Sequence, residues 1–381
     1  MYYIKADAFY YKDQVKPAGY LEINGDTFGK WRSDVASDAE VIDYTGSTIA
    51  PGLVDTHIHG FAGHDVMDNS QEGLKAMSEA LLATGVTSFL PTALTASFET
   101  LRDICQTIAQ VKGSERGAKI QGIFFEGPFF TTEHKGAQNP DYMKDPSLEE
   151  FAAWQEAAQG LLKKIAVAPE REGVDTFIET LSKEGIIIAL GHSNATYEEA
   201  KRAVASGASV WVHAYNGMRG LNHREPGMVG AVLDLEDTYA ELICDGHHVH
   251  PAACHILMTH KGYDHVALIT DCMSAGGSPE GDYMLGEFPV IVKDGTARLK
   301  DGGSLAGSIL ELKDGVKHVI DWGIATPHQA IQMASHVAAK SAGIDHVCGS
   351  IKEGRAADFI VLDKDFNLQA TYIDGSCAYQ A

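Results

Sequence analysis

Eight short, predominantly apolar runs recur along the chain: residues 53–59 ("LVDTHIH"), 86–92, 121–127, 164–170, 185–192, 208–213, 240–246 and 265–271. Their apolar positions are consecutive rather than alternating, the pattern of strands covered on both faces. Between them lie stretches at 71–84, 97–112, 174–184, 196–206 and 251–260 whose apolar residues follow helical spacing. One of these opens with a capping signal, Ser193 to Thr196 ahead of "YEEAKRAV". Eight strands joined by helical crossovers make the count of a closed (β/α)8 barrel, a TIM-like α/β fold. A doubly wound open sheet is the alternative, but no GxGxxG follows the first strand.

The two ends carry a different grammar. Residues 1–50 read as short alternating strands with a turn at Asn24-Gly25, and residues 350–379 repeat that pattern. The arrangement expected is one small β-sandwich assembled from residues 1–51 and 346–381, beside a barrel of residues 52–345. A further hairpin is predicted over residues 288–300, turning at Asp294-Gly295. A chain of 381 residues is long for one core, and a barrel with a small companion accounts for the length.

With 45% hydrophobic and 22% charged residues, the composition is that of an ordinary soluble globular protein. The net charge is −22 and no Lys/Arg-rich run occurs, which argues against nucleic acid or an anionic membrane as a partner. An anionic ligand would therefore need a local cationic cluster. No apolar run approaches the ~20 residues of a membrane span, and the N-terminus lacks the pattern of a signal peptide. The six cysteines are scattered without CxxC pairs, as in a reduced, cytoplasmic protein.

The chemistry gathers where the apolar runs stop. His57 and His59, two apart on a strand, share one face. Glu126, His192, His213 and Asp271 end the third, fifth, sixth and eighth runs, and in a barrel those ends form the active site. A lone histidine at a strand end is more often structural than a ligand. Six converging donors reverse that balance, because an uncompensated cluster of carboxylates and imidazoles is costly. Three His/Glu ligands with an open position suit one catalytic ion, and the fuller set with a bridging carboxylate suits two.

Taken with "APGLVDTHIHG" (50–60), "FEGPF" (125–129), "KGAQNP" (135–140), "LGHSNAT" (190–196), "HAYNGMRGLNHREPGMVGA" (213–231), "DGHHVHP" (245–251) and "LITDCMSAGG" (268–277), the chain resembles the amidohydrolase superfamily and, within it, the N-acetylglucosamine-6-phosphate deacetylase family. That resemblance implies metal-dependent hydrolysis of the acetamide of a phosphorylated amino sugar. The alternatives are the galactosamine-type sugar phosphate or another N-acyl substrate. It implies one or two divalent ions per chain, zinc or iron, with Glu126, His192 and His213 as the main site and His57 and His59 as the second. Relatives in the wider superfamily bridge their ions with a lysine ending the fourth strand; Lys163 and Lys164 fall at that strand's start, and Glu126 looks like the substitute.

By the same resemblance, Asp271 is the general base and acid, and His248 binds the substrate carbonyl. Arg224, with Asn216 and Gly217, forms the phosphate cradle. Leu305, Ala306 and Gly307 of "SLAGS" pack on the sugar or acetyl group, with Ala137 and Gln138 lining the other side. Relatives often carry a histidine at the position of Gln138, so a sugar contact there is open to rewiring. Read without the motif, Arg219, His223 and Arg224 are a solvated loop or an ion-pair cluster with Glu225. The resemblance also implies a homodimer. A non-catalytic scaffold predicts eroded ligands, and none is missing.

Overall fold

The structure is a computed structural model describing residues 1–381. Eight parallel strands run in sequence order around a barrel: β1 (Leu53–Ile58), β2 (Val86–Ala93), β3 (Ile123–Phe129), β4 (Leu162–Val167), β5 (Ile187–Leu190), β6 (Val210–Trp211), β7 (Tyr239–Ile243) and β8 (Val266–Ile269). Each pairs with the next. The circuit closes at the C-terminal mouth, where the Asp271 amide donates to the His57 carbonyl (2.9 Å) and the His59 amide to the Cys272 carbonyl (2.8 Å). At the opposite end the Val54 amide donates to the Ala334 carbonyl (2.9 Å). There Val54, Phe124, Ala166, Val210 and Ala267 pack inside the barrel with Ala338, Ala342 and Ile344. The barrel is thus a filled core open at one end only.

Helices α1 (Gln71–Ala80), α2 (Phe98–Val111), α3 (Leu148–Ala157), α4 (Val174–Lys183), α5 (Tyr197–Ser206), α6 (Gly227–Asp234), α7 (Pro251–Lys261) and α8 (Leu312–Asp321) ring it. The capping signal ahead of α5 is realised: Thr196 accepts from the Glu199 amide while Glu199 returns to the Thr196 amide. Three of these eight lie outside the predicted stretches, as do the short helices Pro327–Met333 and His336–Ser341. α6 ("GMVGAVLD") is buried on nearly every side, so it has no polar face to betray it. In α3, alanines blur the apolar stripe; α8 carries a clear stripe of Leu312, Val316 and Val319 in a stretch where no helix was predicted.

The termini meet as expected. Tyr2–Tyr10, Gly19–Asn24, Thr27–Arg32 and Val41–Pro51 join Phe359–Leu362, Leu368–Ile373 and Ser376–Gln380 in one sheet. That sheet folds over its own cluster, which includes Ile4, Phe9, Leu21, Phe28, Phe359 and Tyr372. The Phe28 amide donates to the Arg355 carbonyl (2.8 Å), tying one edge back to the C-terminal segment. The predicted hairpin is also present, with Asp294 (φ 52°) and Gly295 (φ 74°) both left-handed at its turn. A third strand, Gly281–Leu285, extends it. No helix is long and apolar enough to cross a membrane.

Candidate active site

Residues that leave a barrel strand must turn sharply to aim a side chain into the mouth. His192 (φ 46°), His213 (φ 30°) and Asp271 (φ 51°), just beyond β5, β6 and β8, all hold the left-handed conformation that non-glycine residues rarely adopt. Such strain persists only where the surrounding structure over-determines it, and it gathers at functional sites. Glu126 lies within β3 rather than beyond it, because that strand runs two residues further than its apolar run.

Two groups of donors converge, Glu126 with His192 and His213, and His57 with His59 and Asp271. Every histidine has its Nδ1 committed. That of His192 donates to the His134 carbonyl (2.9 Å), that of His213 to the Asn216 carbonyl (3.1 Å), and that of His59 to the Thr92 carbonyl (3.0 Å). That of His57 donates to the Glu241 carboxylate (2.9 Å). With Nδ1 as donor, a neutral ring presents a lone pair at Nε2. His192 Nε2 and His213 Nε2 stand 3.0 Å apart, and each lies within 3.0 Å of Glu126 Oε1. Lone pairs that close repel unless a cation lies among them. His57 Nε2 is buried with no hydrogen-bond partner, 3.4 Å from Glu126 Oε1 and 3.5 Å from Asp271 Oδ1. The donor set and this orphaned nitrogen fit divalent ions. Burial disfavours charge on His57, but the Asp271, Glu126 and Glu241 carboxylates outweigh it and, with no cation among them, raise its pKa to about 9; a metal ion at Nε2 would take the place of that proton.

The second oxygen of Glu126 accepts from Gln138 Nε2 (2.6 Å), whose Oε1 in turn accepts from the Thr95 amide (2.8 Å). Gln138 thus holds the Glu126 carboxylate in place as well as lining the pocket. Opposite, His248 is fixed by Asp245, whose Oδ2 accepts from its Nδ1 (2.6 Å). Asp245 Oδ1 accepts from the amides of His247 and His248, both at 2.8 Å.

Above these groups opens a cavity of about 290 Å3. His59, Glu126, His192, His213, His248 and Asp271 line it, together with Ala137, Gln138, Asn216, Gly217, Leu305 and Gly307. At Gly217 (φ 59°) a Cβ would come to 3.1 Å of His192 Nδ1, a tight contact in a backbone conformation that favours glycine. Three predicted residues stand elsewhere. His57 is sealed beneath the floor. Ala306 turns away from the cavity, its amide donating to the Ala297 carbonyl (3.1 Å) and its methyl packed under the hairpin. Arg224 is exposed on the loop before α6, and no lysine or arginine lines the cavity. Its neighbour Arg219 pairs with Glu225 (2.8 Å), the ion-pair reading of that loop.

Several lining or supporting residues were given no role by the sequence: Leu94, Gly136, Leu285, Asp245 and Glu241, and also Lys164, noted only as standing at the start of its strand. Leu94, Ala137 and Leu285 separate this cavity from a second, of about 420 Å3, bounded by the hairpin. The charges in otherwise apolar strands, Glu241 alone in β7 and Lys164 beside Lys163 in β4, were the available signal.

The family model described as "Amidohydrolase family" matches residues 48–377. The chain belongs to the amidohydrolase family. Among curated amidohydrolase relatives, an N-acetylglucosamine-6-phosphate deacetylase from Vibrio furnissii is 41% identical over 90% of this chain and 86% of its own length. An N-acetylgalactosamine-6-phosphate deacetylase from Escherichia coli O157:H7 is 39% identical, over 89% of each. Among solved structures, a mutant N-acetyl-D-glucosamine-6-phosphate deacetylase from Mycobacterium smegmatis, in complex with N-acetyl-D-glucosamine-6-phosphate, superposes with a TM-score of 0.94. It is 28% identical, covering 100% of this chain and 99% of that one.

Proposed function

We infer that this amidohydrolase hydrolyses the acetamide of N-acetyl-D-glucosamine 6-phosphate, giving D-glucosamine 6-phosphate and acetate, in amino-sugar catabolism and the recycling of cell-wall sugars. The observation that carries this reading is a strand-end set of His and Glu donors with Asp271 beside it, in a chain 41% identical to a deacetylase of that sugar phosphate.

Glu126, His192 and His213 would hold the main ion, and His57 and His59 the second, zinc or iron being the metals the reading favours. A divalent ion bound there lowers the pKa of water from about 15.7 to about 7 and polarises a carbonyl. The protein's own groups do the rest. Asp271 Oδ1, 3.1 Å from His59 Nε2, takes a proton from the attacking water and returns it to the departing amine. Burial disfavours charge on Asp271, yet the neighbouring His57 and His59 outweigh it and hold its pKa below the usual carboxylate range. His248, its Nδ1 donating to Asp245, presents Nε2 to the acetamide carbonyl and stabilises the oxyanion when protonated there. Asn216, Gly217, Ala137, Gln138, Leu305 and Gly307 enclose the sugar.

The phosphate is assigned to Arg224. Its exposure, and the lack of any cationic side chain lining the cavity apart from histidine, favour a homodimer in which this loop closes a site at the subunit boundary. We place the enzyme in the cytoplasm on its unpaired cysteines. The galacto epimer is the second reading, carried by the 39% identical relative named for it. The deciding experiment assays acetate release from both 6-phosphates side by side, with the metal content of protein purified without chelator. Faster turnover of the galacto sugar would move the assignment to that epimer, and turnover of neither would overturn it.

A further inference from the structure

Beneath the cavity lies an ion pair that the reaction as described does not use. Glu241 in β7 is fully buried, and Lys164 in β4 is 1% exposed. Two strands separate them around the barrel, so the pair spans its interior. Lys164 Nζ pairs with Glu241 Oε1 and sits 3.8 Å from the centroid of the Phe124 ring. Thr56 Oγ1 donates to the same carboxylate oxygen at 3.4 Å. The other oxygen, Oε2, accepts from His57 Nδ1 at 2.9 Å. The His57 ring also stands edge-on to Phe124, with centroids 4.9 Å apart. Carboxylate, ammonium and ring therefore grip His57 from behind and leave its Nε2 facing the site.

This arrangement is costly and local. A buried ion pair is often no more stabilising than apolar side chains of the same volume. His59, His192 and His213 manage with backbone carbonyls. Only His57 has a carboxylate behind it, and it belongs to the group with His59 and Asp271, its Nε2 3.4 Å from Glu126 Oε1. A carboxylate on the far nitrogen fixes the tautomer of a ligating imidazole and makes it a stronger donor. Lys164 in turn neutralises Glu241 and keeps it from turning toward the site as a competing ligand.

We propose that Glu241 and Lys164 are positioning residues for the second ion: Glu241 holds His57 with Nε2 forward, and Lys164 pins Glu241 behind it. The proposal rests on the two-ion reading of the site. Its test is to load wild type, Glu241→Gln, Lys164→Met and the double variant with cobalt, dialyse each against graded chelator, and count the ions retained. The visible spectrum and thermal midpoint are read alongside. Wild type should retain two ions per chain. Glu241→Gln should lose the second at a chelator strength roughly ten- to a hundredfold lower, with the first unchanged. Lys164→Met leaves a buried carboxylate unpaired and should lower the thermal midpoint. The double variant, neutral at both positions, should recover that midpoint without recovering the second ion. If the pair were only barrel filling, the double variant would recover both, and that result overturns the proposal. So would a second ion held equally well by Glu241→Gln and wild type, or a wild type that holds one ion. Should Glu241→Gln fail to fold, the double variant decides alone. Failure of the deacetylase reading would look different: two ions retained by wild type, and no acetate released.

Discussion

His59 Nε2 lies 3.1 Å from Asp271 Oδ1 and 3.2 Å from Glu126 Oε2, so one imidazole touches both the proposed acid–base group and the carboxylate proposed to hold the main ion. On the proposed reading proton transfer and ion binding are neighbours in contact through His59, and substitutions should separate them.

Asp271→Asn keeps the shape of the side chain and removes its basicity. Turnover of the sugar phosphate should fall by roughly 10²–10⁴, the usual contribution of a general acid–base group. Elemental analysis should find the main-site ion still present; its loss would make Asp271 chiefly a ligand.

Glu126 supplies the only carboxylate of its donor group and is within 3.0 Å of both His192 and His213. Glu126→Ala should empty the main site and abolish activity. A variant that keeps full metal content and turnover would refute the assignment.

Replacing both His57 and His59 by Asn should leave one ion per chain with activity reduced rather than lost. Two ions in that variant, by elemental analysis, would contradict the second-site reading.

Gln138 bonds both Glu126 Oε2 (2.6 Å) and the Thr95 amide (2.8 Å). Gln138→Ala should weaken the main ion roughly ten- to a hundredfold, since groups that support a ligand act on that scale. Chelator titration of the loaded enzyme measures it, and an unchanged affinity would confine Gln138 to the pocket wall.

Arg224 is assigned to the phosphate, away from the scissile amide. A charge-assisted bond worth about 1.5–3 kcal/mol corresponds to roughly ten- to a hundredfold in kcat/KM. Arg224→Ala should lose that much on the 6-phosphate, mainly through KM, and little on plain N-acetylglucosamine. Equal losses on both sugars would detach Arg224 from the phosphate. Because Arg224 is exposed on its own chain, the proposed homodimer predicts that turnover of the 6-phosphate falls as subunits dissociate, checked by sedimentation and assay across a dilution series.

The sequence by itself determined the barrel, the pairing of the two termini and the residues at the strand ends. Covered strands need consecutive apolar residues, and the places where those runs stop are the barrel mouth, so His57, His59, His192, His213 and Asp271 stood out one by one. Only the tertiary structure decided what stands behind them. Glu241 and Lys164 lie 77 positions apart in sequence and meet across the barrel, and nothing in either strand announces the other. Gln138 reaches Glu126 through an irregular loop whose path no periodicity encodes. Ala306 sits between two cavity-lining neighbours yet faces away, because successive residues of extended chain point to opposite sides and their absolute sense is set by the hairpin they pack against. Short-range pattern fixes which residues share a face. Partners across the barrel are chosen by closure of the sheet, a long-range event that brings together charges the chain keeps far apart.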